Sequence, residues 1–261
     1  LQPLPSLHFA LECALLDLLH GGQGVLFPSA FTEGKTSLPT HGLIWIDAPA
    51  GMLRQVEAKV EAGFGVIKLK VGARPWDEEI ALLEQMRRRF SAIEMRLDAN
   101  CAFDEESVFA HLDALAPLHI AYLEEPVRMH DWVRAAELCA ASPVPIGLDE
   151  TLLGAVASRD FESLLRQIRP AHAVLKPSLL GGLAQTMEII AICNELGIGW
   201  WLNSLLESAI GHSAICQFAA ATGDLRVHGL GTGSLFADNF HSPIALQGAH
   251  LHWAKNTQNA G

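Results

Sequence analysis

Five charged residues recur along the chain at nearly equal intervals, and each lies at the end of a short apolar run. The residues are Lys70, Asp98, Glu124, Asp149 and Lys176, and the runs are VIKLK, EMRLD, IAYLE, PIGLD and AVLK. Successive members are 28, 26, 25 and 27 positions apart, which accommodates one strand, one helix and two loops. The pattern predicts parallel strands that each end in a charge. In a parallel barrel those ends meet at one mouth.

Further strand patterns recur at a similar interval before Lys70 and after Lys176. Strand patterns at 42–47 (GLIWID), 199–204 (GWWLNS) and 227–231 (VHGLG) bring the predicted strands to eight. No strong helical pattern follows Gly231, so we predict a (β/α)7β barrel of the modified TIM type over residues 42–240. A doubly wound open sheet is the alternative, but it does not need charges on so many successive strand ends. The helices are predicted over 52–62, 77–90, 104–115, 131–141, 158–168, 182–196 and 208–222.

The two ends of the chain do not fit this interval. Residues 1–41 contain one helical pattern, SLHFALECALLDLLHG, followed by a loop. We expect them to be the tail of a separate element that packs against the barrel, with a further portion upstream of Leu1. Residues 241–261 read as a loop-like C-terminal extension with at most a short extended piece.

The composition and net charge argue against two classes of binding partner, nucleic acids and membranes. The net charge of -11 argues against a nucleic-acid-binding surface, which would be basic. No apolar run reaches the roughly 18 residues of a membrane-spanning helix, so no membrane partner is expected. The five cysteines are widely spaced and form no CxxC pair, which is typical of reduced thiols in a cytoplasmic protein. The sequence leaves both a monomer and a homo-oligomer open.

Three carboxylates on consecutive predicted strands indicate a metal site. Asp98, Glu124 and Asp149 repel one another unless a cation lies among them, and oxygen ligands of this kind suit Mg²⁺, with Mn²⁺ as a substitute. Any one of them alone is more often a helix cap or a solvated charge. Alternation along a strand lets only one of Glu124 and Glu125 point inward. The interval favours Glu124, so Glu125 faces the helix layer or caps the next loop.

The lysines complete a candidate acid–base site that would take a small-molecule carboxylate. Lys68 and Lys70 are two positions apart, so both side chains point to one side of their strand. Lys176 ends a strand four places further round, which is the opposite side of an eight-stranded barrel. This arrangement suits removal of a proton alpha to a carboxylate. Asn100 shares the parity of Asp98 and either supports the site by hydrogen bonding or serves as a turn residue.

Five motifs together resemble a known family. They are KLK (68–70), LDAN (97–100), LEEP (123–126), LDE (148–150) and LKP (175–177). In this order and spacing, the set is similar to the muconate-lactonizing branch of the enolase superfamily over roughly residues 5–240. The seventh strand, WWLNS, lacks the histidine of the mandelate-racemase branch. The resemblance implies that residues 1–41 are the tail of an N-terminal α+β capping domain.

Within that branch the chain most resembles the o-succinylbenzoate synthases of menaquinone biosynthesis, on FALECALLDL, FTEG, GLIW and HGLGTGSLFADN. The resemblance implies syn dehydration of 2-succinyl-6-hydroxy-2,4-cyclohexadiene-1-carboxylate through a metal-stabilised enediolate, with Asp98, Glu124 and Asp149 as the Mg²⁺ ligands. Lys70 would remove the proton and then protonate the departing hydroxyl. Lys176 would stabilise the enolate by charge, Lys68 would assist Lys70, and Ser204 would contact the succinyl end.

Three alternatives remain open. An N-acylamino acid racemase, dipeptide epimerase or cycloisomerase of the same superfamily would use the same lysines as paired bases. The segment GLGTGSL lacks the acidic motif that dipeptide epimerases usually carry at the eighth strand. A barrel that binds a phosphate-containing ligand at its glycine-rich loops is a more remote alternative. The third is a barrel that serves only as a binding module.

Overall fold

The computed structural model describes residues 4–129, 131–233 and 236–254. These residues form two compact units. The terminal unit comprises 4–41, 175–187, 201–233 and 236–254, and the central unit comprises 42–129, 131–174 and 188–200. None of the helices within the described ranges is long and apolar enough to cross a membrane.

Strands and helices alternate through most of the chain, as the interval predicts. The strands are β1 (Ser37–Pro39), β2 (Gly42–Ile44), β3 (Val66–Lys70), β4 (Glu94–Asp98), β5 (Tyr122–Glu124), β6 (Ile146–Leu148), β7 (His172–Leu175), β8 (Gly199–Leu202), β9 (Ile244–Gln247) and β10 (His250–Trp253). The helices are α1 (Pro5–Leu19), α2 (Pro49–Glu61), α3 (Trp76–Arg89), α4 (Val108–Leu115), α5 (Trp132–Ala141), α6 (Phe161–Ile168), α7 (Pro177–Leu180), α8 (Leu183–Leu196) and α9 (Ala209–Ala221).

The main sheet contains the seven strands β2 to β8 in the order of the chain. The pairs from β2 to β7 are parallel, and a helix follows each strand. In this register Lys70 is opposite Asp98, and Asp98 is opposite Glu124. These three charged residues are therefore direct neighbours across the sheet, whereas Glu124 pairs with Gly147, two positions before Asp149.

The helices of the central unit bury one apolar face each, and α6 shows how the sequence specifies this. Its first turn is capped by the side chain of Asp160, which accepts a hydrogen bond from the Ser163 amide at 3.1 Å. Its buried residues are spaced by three or four positions, which places them on one side of the helix. They are Phe161, Leu164, Leu165 and Ile168.

The predicted eighth strand is present only as two isolated bridges in the terminal unit. Gly229 bridges in parallel to Asn203, which directly follows β8, and His228 bridges in parallel to Thr40, which lies just before β2. His228 also accepts a hydrogen bond from the Leu202 amide at its Nδ1 atom. Residues 228–229 therefore pair in parallel with Thr40 and Asn203, although the segment 227–231 is not a regular strand.

The terminal unit also contains a small antiparallel sheet in the order β1, β10, β9. The hairpin of β9 and β10 turns at Gly248, whose φ of 57° is in the left-handed region that glycine tolerates. The sequence indicated only a short extended piece in this stretch. The helix predicted near the start of the chain is found as α1, which buries Phe9 and Cys13 and exposes Leu11 and Leu15.

Candidate active site

A buried cluster of lysines and carboxylates lies at the ends of β3, β4 and β5. The Nζ atom of Lys68 is 2.7 Å from Oε2 of Glu124 and 3.0 Å from Oδ2 of Asp98. The Nζ atom of Lys70 is 3.3 Å from the same Asp98 oxygen. The two lysine side chains therefore share one side of β3, as their spacing predicts. They differ in access, since the side chain of Lys68 is 5% exposed and that of Lys70 is 28% exposed.

The surroundings of Lys68 keep its amine charged. Burial alone would lower the pKa of Lys68, but the neighbouring Glu124, Tyr122 and Asp98 outweigh burial and raise this pKa well above its usual value. Burial likewise raises the pKa of Asp98, and the adjacent lysines reverse that effect and lower it. The hydroxyl of Tyr122 donates to Glu124 at 3.3 Å. Lys68 therefore provides a buried positive charge between Asp98 and Glu124.

Asn100 connects Lys70 to the neighbouring loop. Its backbone has a φ of 43°, which turns the chain directly after β4. Its amide N–H donates to Oδ1 of Asp98 at 3.0 Å, and its side-chain carbonyl accepts a hydrogen bond from Lys70. The side-chain NH₂ donates to Glu150 at 3.2 Å. Asn100 is thus both a turn residue and a hydrogen-bonding neighbour of Lys70.

The third predicted metal ligand, Asp149, directly follows β6 and is buried. Its amide N–H donates to Oε2 of Glu125 at 2.9 Å. The same Glu125 carboxylate accepts hydrogen bonds from the amide and the hydroxyl of Thr151. Glu125 thus faces the next loop, one of the two placements expected from the sequence. Burial raises the pKa of Glu125 to about 7, and the hydrogen bonds from Thr151 and Asp149 act in the opposite direction.

The donor set of Asp98, Glu124 and Asp149 fits a hard divalent cation. Each residue is at most 3% exposed, and each ends, or directly follows, one of three adjacent strands. Adjacent buried carboxylates repel one another unless cations balance their charge. Carboxylate oxygens are the ligands that Mg²⁺ prefers.

A second group of side chains near this site has ligand atoms close enough together to bind one metal ion. Among the described residues, ligand atoms of Cys101, Glu125 and Glu150 lie within 4.8 Å of one another. Burial raises the pKa of the Cys101 thiol to about 12, which disfavours the thiolate that a metal would need. Both oxygens of Glu125 already accept hydrogen bonds. The trio Asp98, Glu124 and Asp149 has the better donor chemistry for Mg²⁺, but the structure does not bring its oxygens within 4.8 Å of one another, so these residues stay predicted ligands.

Lys176 and Ser204 belong to the terminal unit. Lys176 directly follows β7, precedes α7 and is half-buried. Ser204 follows β8, its amide donates to the Gly229 carbonyl at 3.2 Å, and its hydroxyl shares a hydrogen bond with Thr232. The placement of Lys176 opposite Lys70 stays a prediction.

The sequence pattern predicted no role for Tyr122, which contacts the predicted ligand Glu124, or for Thr151, which contacts Glu125. Tyr122 lies two positions before Glu124, on the same side of β5, and Thr151 lies two positions after Asp149. These short offsets are the only signal in the sequence that could have identified them. The contacts themselves depend on the turns at Glu125 and Asp149, which the sequence pattern does not show.

Comparison with known proteins defines the class of protein to which this fold and site belong. The family described as "Enolase C-terminal domain-like" matches residues 51–256. The chain therefore belongs to this family, and the match confirms the resemblance to the enolase superfamily drawn from the sequence motifs.

Two individual proteins are similar to this chain over much of its length. The chain is 45% identical over 249 residues to an o-succinylbenzoate synthase of Desulfotalea psychrophila, a match that covers 95% of this chain and 67% of that protein. It is 33% identical over 174 residues to an N-succinylamino acid racemase of Thermus thermophilus, which covers 66% of this chain and 44% of that protein. The chain thus spans about two thirds of the length of the first relative and less than half of the second.

A solved structure also supports the assignment of the chain to this family. The crystal structure of MenC from Desulfotalea psychrophila superimposes with a TM-score of 0.89 at 43% identity, over 95% of this chain and 69% of that chain. The family match and this structure confirm the predicted (β/α)7β barrel fold.

Proposed function

We propose that this chain provides the catalytic barrel of a Mg²⁺-dependent o-succinylbenzoate synthase. The reaction is the syn dehydration of 2-succinyl-6-hydroxy-2,4-cyclohexadiene-1-carboxylate to 2-succinylbenzoate, a carbon–oxygen lyase reaction of menaquinone biosynthesis. The observation that carries the chemistry is the position of Lys70 beside the buried cluster of Lys68, Asp98 and Glu124. The choice of substrate is supported by the identity of 45% to a relative with this name.

Asp98, Glu124 and Asp149 would hold the Mg²⁺ ion, for which Mn²⁺ could substitute. When bound, such an ion polarises a substrate carboxylate, which makes the proton on the adjacent carbon more acidic. The three carboxylates would hold the ion on backbone that is already fixed, since strand pairing places Asp98 next to Glu124 and Glu125 accepts a hydrogen bond from the Asp149 amide.

Lys70 would act as the acid–base catalyst. Its amine takes the proton from the carbon alpha to the carboxylate, and the ammonium that results donates a proton to the departing hydroxyl. Water leaves, the ring gains its last double bond, and Lys70 returns to its starting state. The partial exposure of Lys70 gives it access to a substrate, and Asn100 orients its amine. Lys68 remains charged and adds positive potential beside the carbon where negative charge develops.

Two further residues would act on the substrate in the roles that the family resemblance implies. Lys176 would stabilise the enolate by its charge, and Ser204 would contact the succinyl end. We further propose that residues 1–41 are the tail of a capping domain, that 42–240 form the barrel and that 241–261 extend it. A cytoplasmic location agrees with the five free cysteines.

The second candidate is a racemase or epimerase of the same superfamily, in which Lys70 and Lys176 act as paired bases. The identity of 33% to a relative named N-succinylamino acid racemase favours it. No specific observation favours a phosphate-binding or non-catalytic barrel.

Incubation of the protein with Mg²⁺ in D₂O, in parallel with the cyclohexadiene substrate and with an N-succinylamino acid, separates the two candidates. We expect dehydration of the cyclohexadiene. Exchange of the alpha proton of the amino acid without any dehydration would overturn the choice of reaction.

A further inference from the structure

Glu125 connects the loops that follow three adjacent strands. Its amide donates to the Gly147 carbonyl of β6 at 2.9 Å, and its own carbonyl accepts from the Cys101 amide, after β4, at 2.7 Å. Its φ of 40° lies in the left-handed region, which non-glycine residues adopt only when their surroundings enforce it. This turn separates the directions of two consecutive side chains. Glu124 stays with the lysine cluster, and Glu125 reaches the loop after β6.

The Glu125 carboxylate organises that loop from a fully buried position. Oε2 accepts from the Asp149 amide at 2.9 Å and from the Thr151 amide at 3.2 Å, and Oε1 accepts from the Thr151 hydroxyl. Without this carboxylate, two buried amides and a hydroxyl would lose their acceptor. A buried donor left without an acceptor is unfavourable, so the carboxylate helps to decide how this short loop closes.

Asp149 depends on this support more than the other two proposed ligands do. Asp98 and Glu124 are the last residues of regular strands, and strand pairing fixes their backbones. Asp149 lies between β6, which ends at Leu148, and the short 3₁₀ helix Glu150–Ala155. Its φ and ψ of -130° and -76° belong to neither element.

We infer that Glu125 and Thr151 form a positioning pair that holds Asp149 in place for the divalent cation. The inference rests on the proposed function, because it presupposes that Asp149 is a metal ligand. Neither residue needs to touch the substrate. The pair acts through the backbone of Asp149, as residues behind a metal ligand commonly do.

The test is the affinity for Mg²⁺ alone, measured by titration calorimetry with the full protein. Thr151→Val removes the hydroxyl at nearly constant size, and Thr151→Ser keeps it, so the two form a matched pair. Outer-shell substitutions typically reduce metal affinity about 10- to 100-fold, and we expect a loss of this size in Thr151→Val. Thr151→Ser should bind like the wild type. Glu125→Gln, which faces the same amides with one acceptor oxygen, should also bind more weakly.

The outcomes distinguish this inference from the proposed function. If the wild type itself binds no Mg²⁺, the proposed metal site fails. If the wild type binds and Thr151→Val binds equally well, the positioning pair is overturned. Circular dichroism without metal checks folding. If Thr151→Val does not fold, Glu125→Gln carries the test, and loss of folding in both variants would overturn the inference in favour of a purely structural role.

Discussion

Lys68 and Lys70 are alternate residues on one side of one strand, yet their surroundings give them different tasks. Lys68 is buried between Asp98 and Glu124 and stays charged, whereas Lys70 extends to a more accessible position beside Asn100. A buried charge beside a more accessible amine would suit the proposed acid–base chemistry next to a metal. The spacing of two residues predicted the shared side, but it could not show which lysine is accessible.

Lys68→Met should destabilise the protein, because it leaves Glu124 buried without its lysine partner. Removing one member of a buried ion pair typically costs about 3–5 kcal/mol. Urea unfolding in the presence of a chelator measures this free energy without a contribution from bound metal. A loss below about 1 kcal/mol, the range of a surface ion pair, would show that the cluster does not depend on Lys68.

Asp149→Asn tests the metal site at its third ligand. The amide keeps the size of the carboxylate and removes its charge, so Mg²⁺ should bind more weakly while the fold is retained. Titration calorimetry gives the affinity, and Asp113→Asn on α4 is a control at an exposed carboxylate. Unchanged Mg²⁺ affinity in Asp149→Asn would remove this residue from the ligand set.

At the scale of elements, the sequence predicted regular segments well and local turns poorly. The helix predicted over 131–141 is found as α5, and the Asp131 side chain caps it by accepting from the Val133 amide at 2.8 Å. Residue 104 was expected to begin α4, but that helix begins at Val108, after a turn in which the Asp104 carbonyl accepts from the Ser107 amide. The pairing of β1 with β10 was not predicted, since these strands are about 200 positions apart and their register depends on non-local contacts.

The loop that follows Lys70 depends on a buried carboxylate in the first turn of α3. Glu79 accepts the amide hydrogens of Gly72, Ala73 and Arg74 at 2.7, 3.1 and 3.0 Å. Glu79→Ala should therefore reduce the free energy of unfolding by about 3 kcal/mol, since three partly buried amides lose a charged acceptor.

The adjacent Glu78 provides a matched control for this experiment. It is 44% exposed and pairs with Arg74 at the surface, so Glu78→Ala should change stability by less than about 1 kcal/mol. Urea unfolding of both variants measures the difference. Equal effects in the two variants would contradict the role assigned to Glu79.

At the scale of the whole molecule, the interval between charged residues was sufficient to predict the parallel β/α repeat and to select three members of the cluster, Lys70, Asp98 and Glu124. Each interval reports the length of a strand and its helix, and strand pairing then brings Lys70, Asp98 and Glu124 into register. The roles of Glu125 and Thr151 could not be predicted in this way. They depend on a left-handed turn and on hydrogen bonds across loops, which leave no periodic signal.

A ligand that binds only the folded state stabilises the whole protein. At a Mg²⁺ concentration of about 100 times the dissociation constant, this stabilisation is about 2.7 kcal/mol, so the melting temperature should rise by several degrees. Thermal unfolding with Mg²⁺ and with chelator measures the shift. The shift should be smaller in Asp149→Asn, and an equal shift in that variant would place the binding of Mg²⁺ elsewhere.

Turnover of the cyclohexadiene substrate by the wild type and by Lys70→Ala, with and without Mg²⁺, tests the central claim most directly. The account predicts Mg²⁺-dependent dehydration by the wild type and a loss of about 10²–10⁴-fold or more in Lys70→Ala, with the variant still folded. Dehydration by Lys70→Ala at the rate of the wild type would contradict the account.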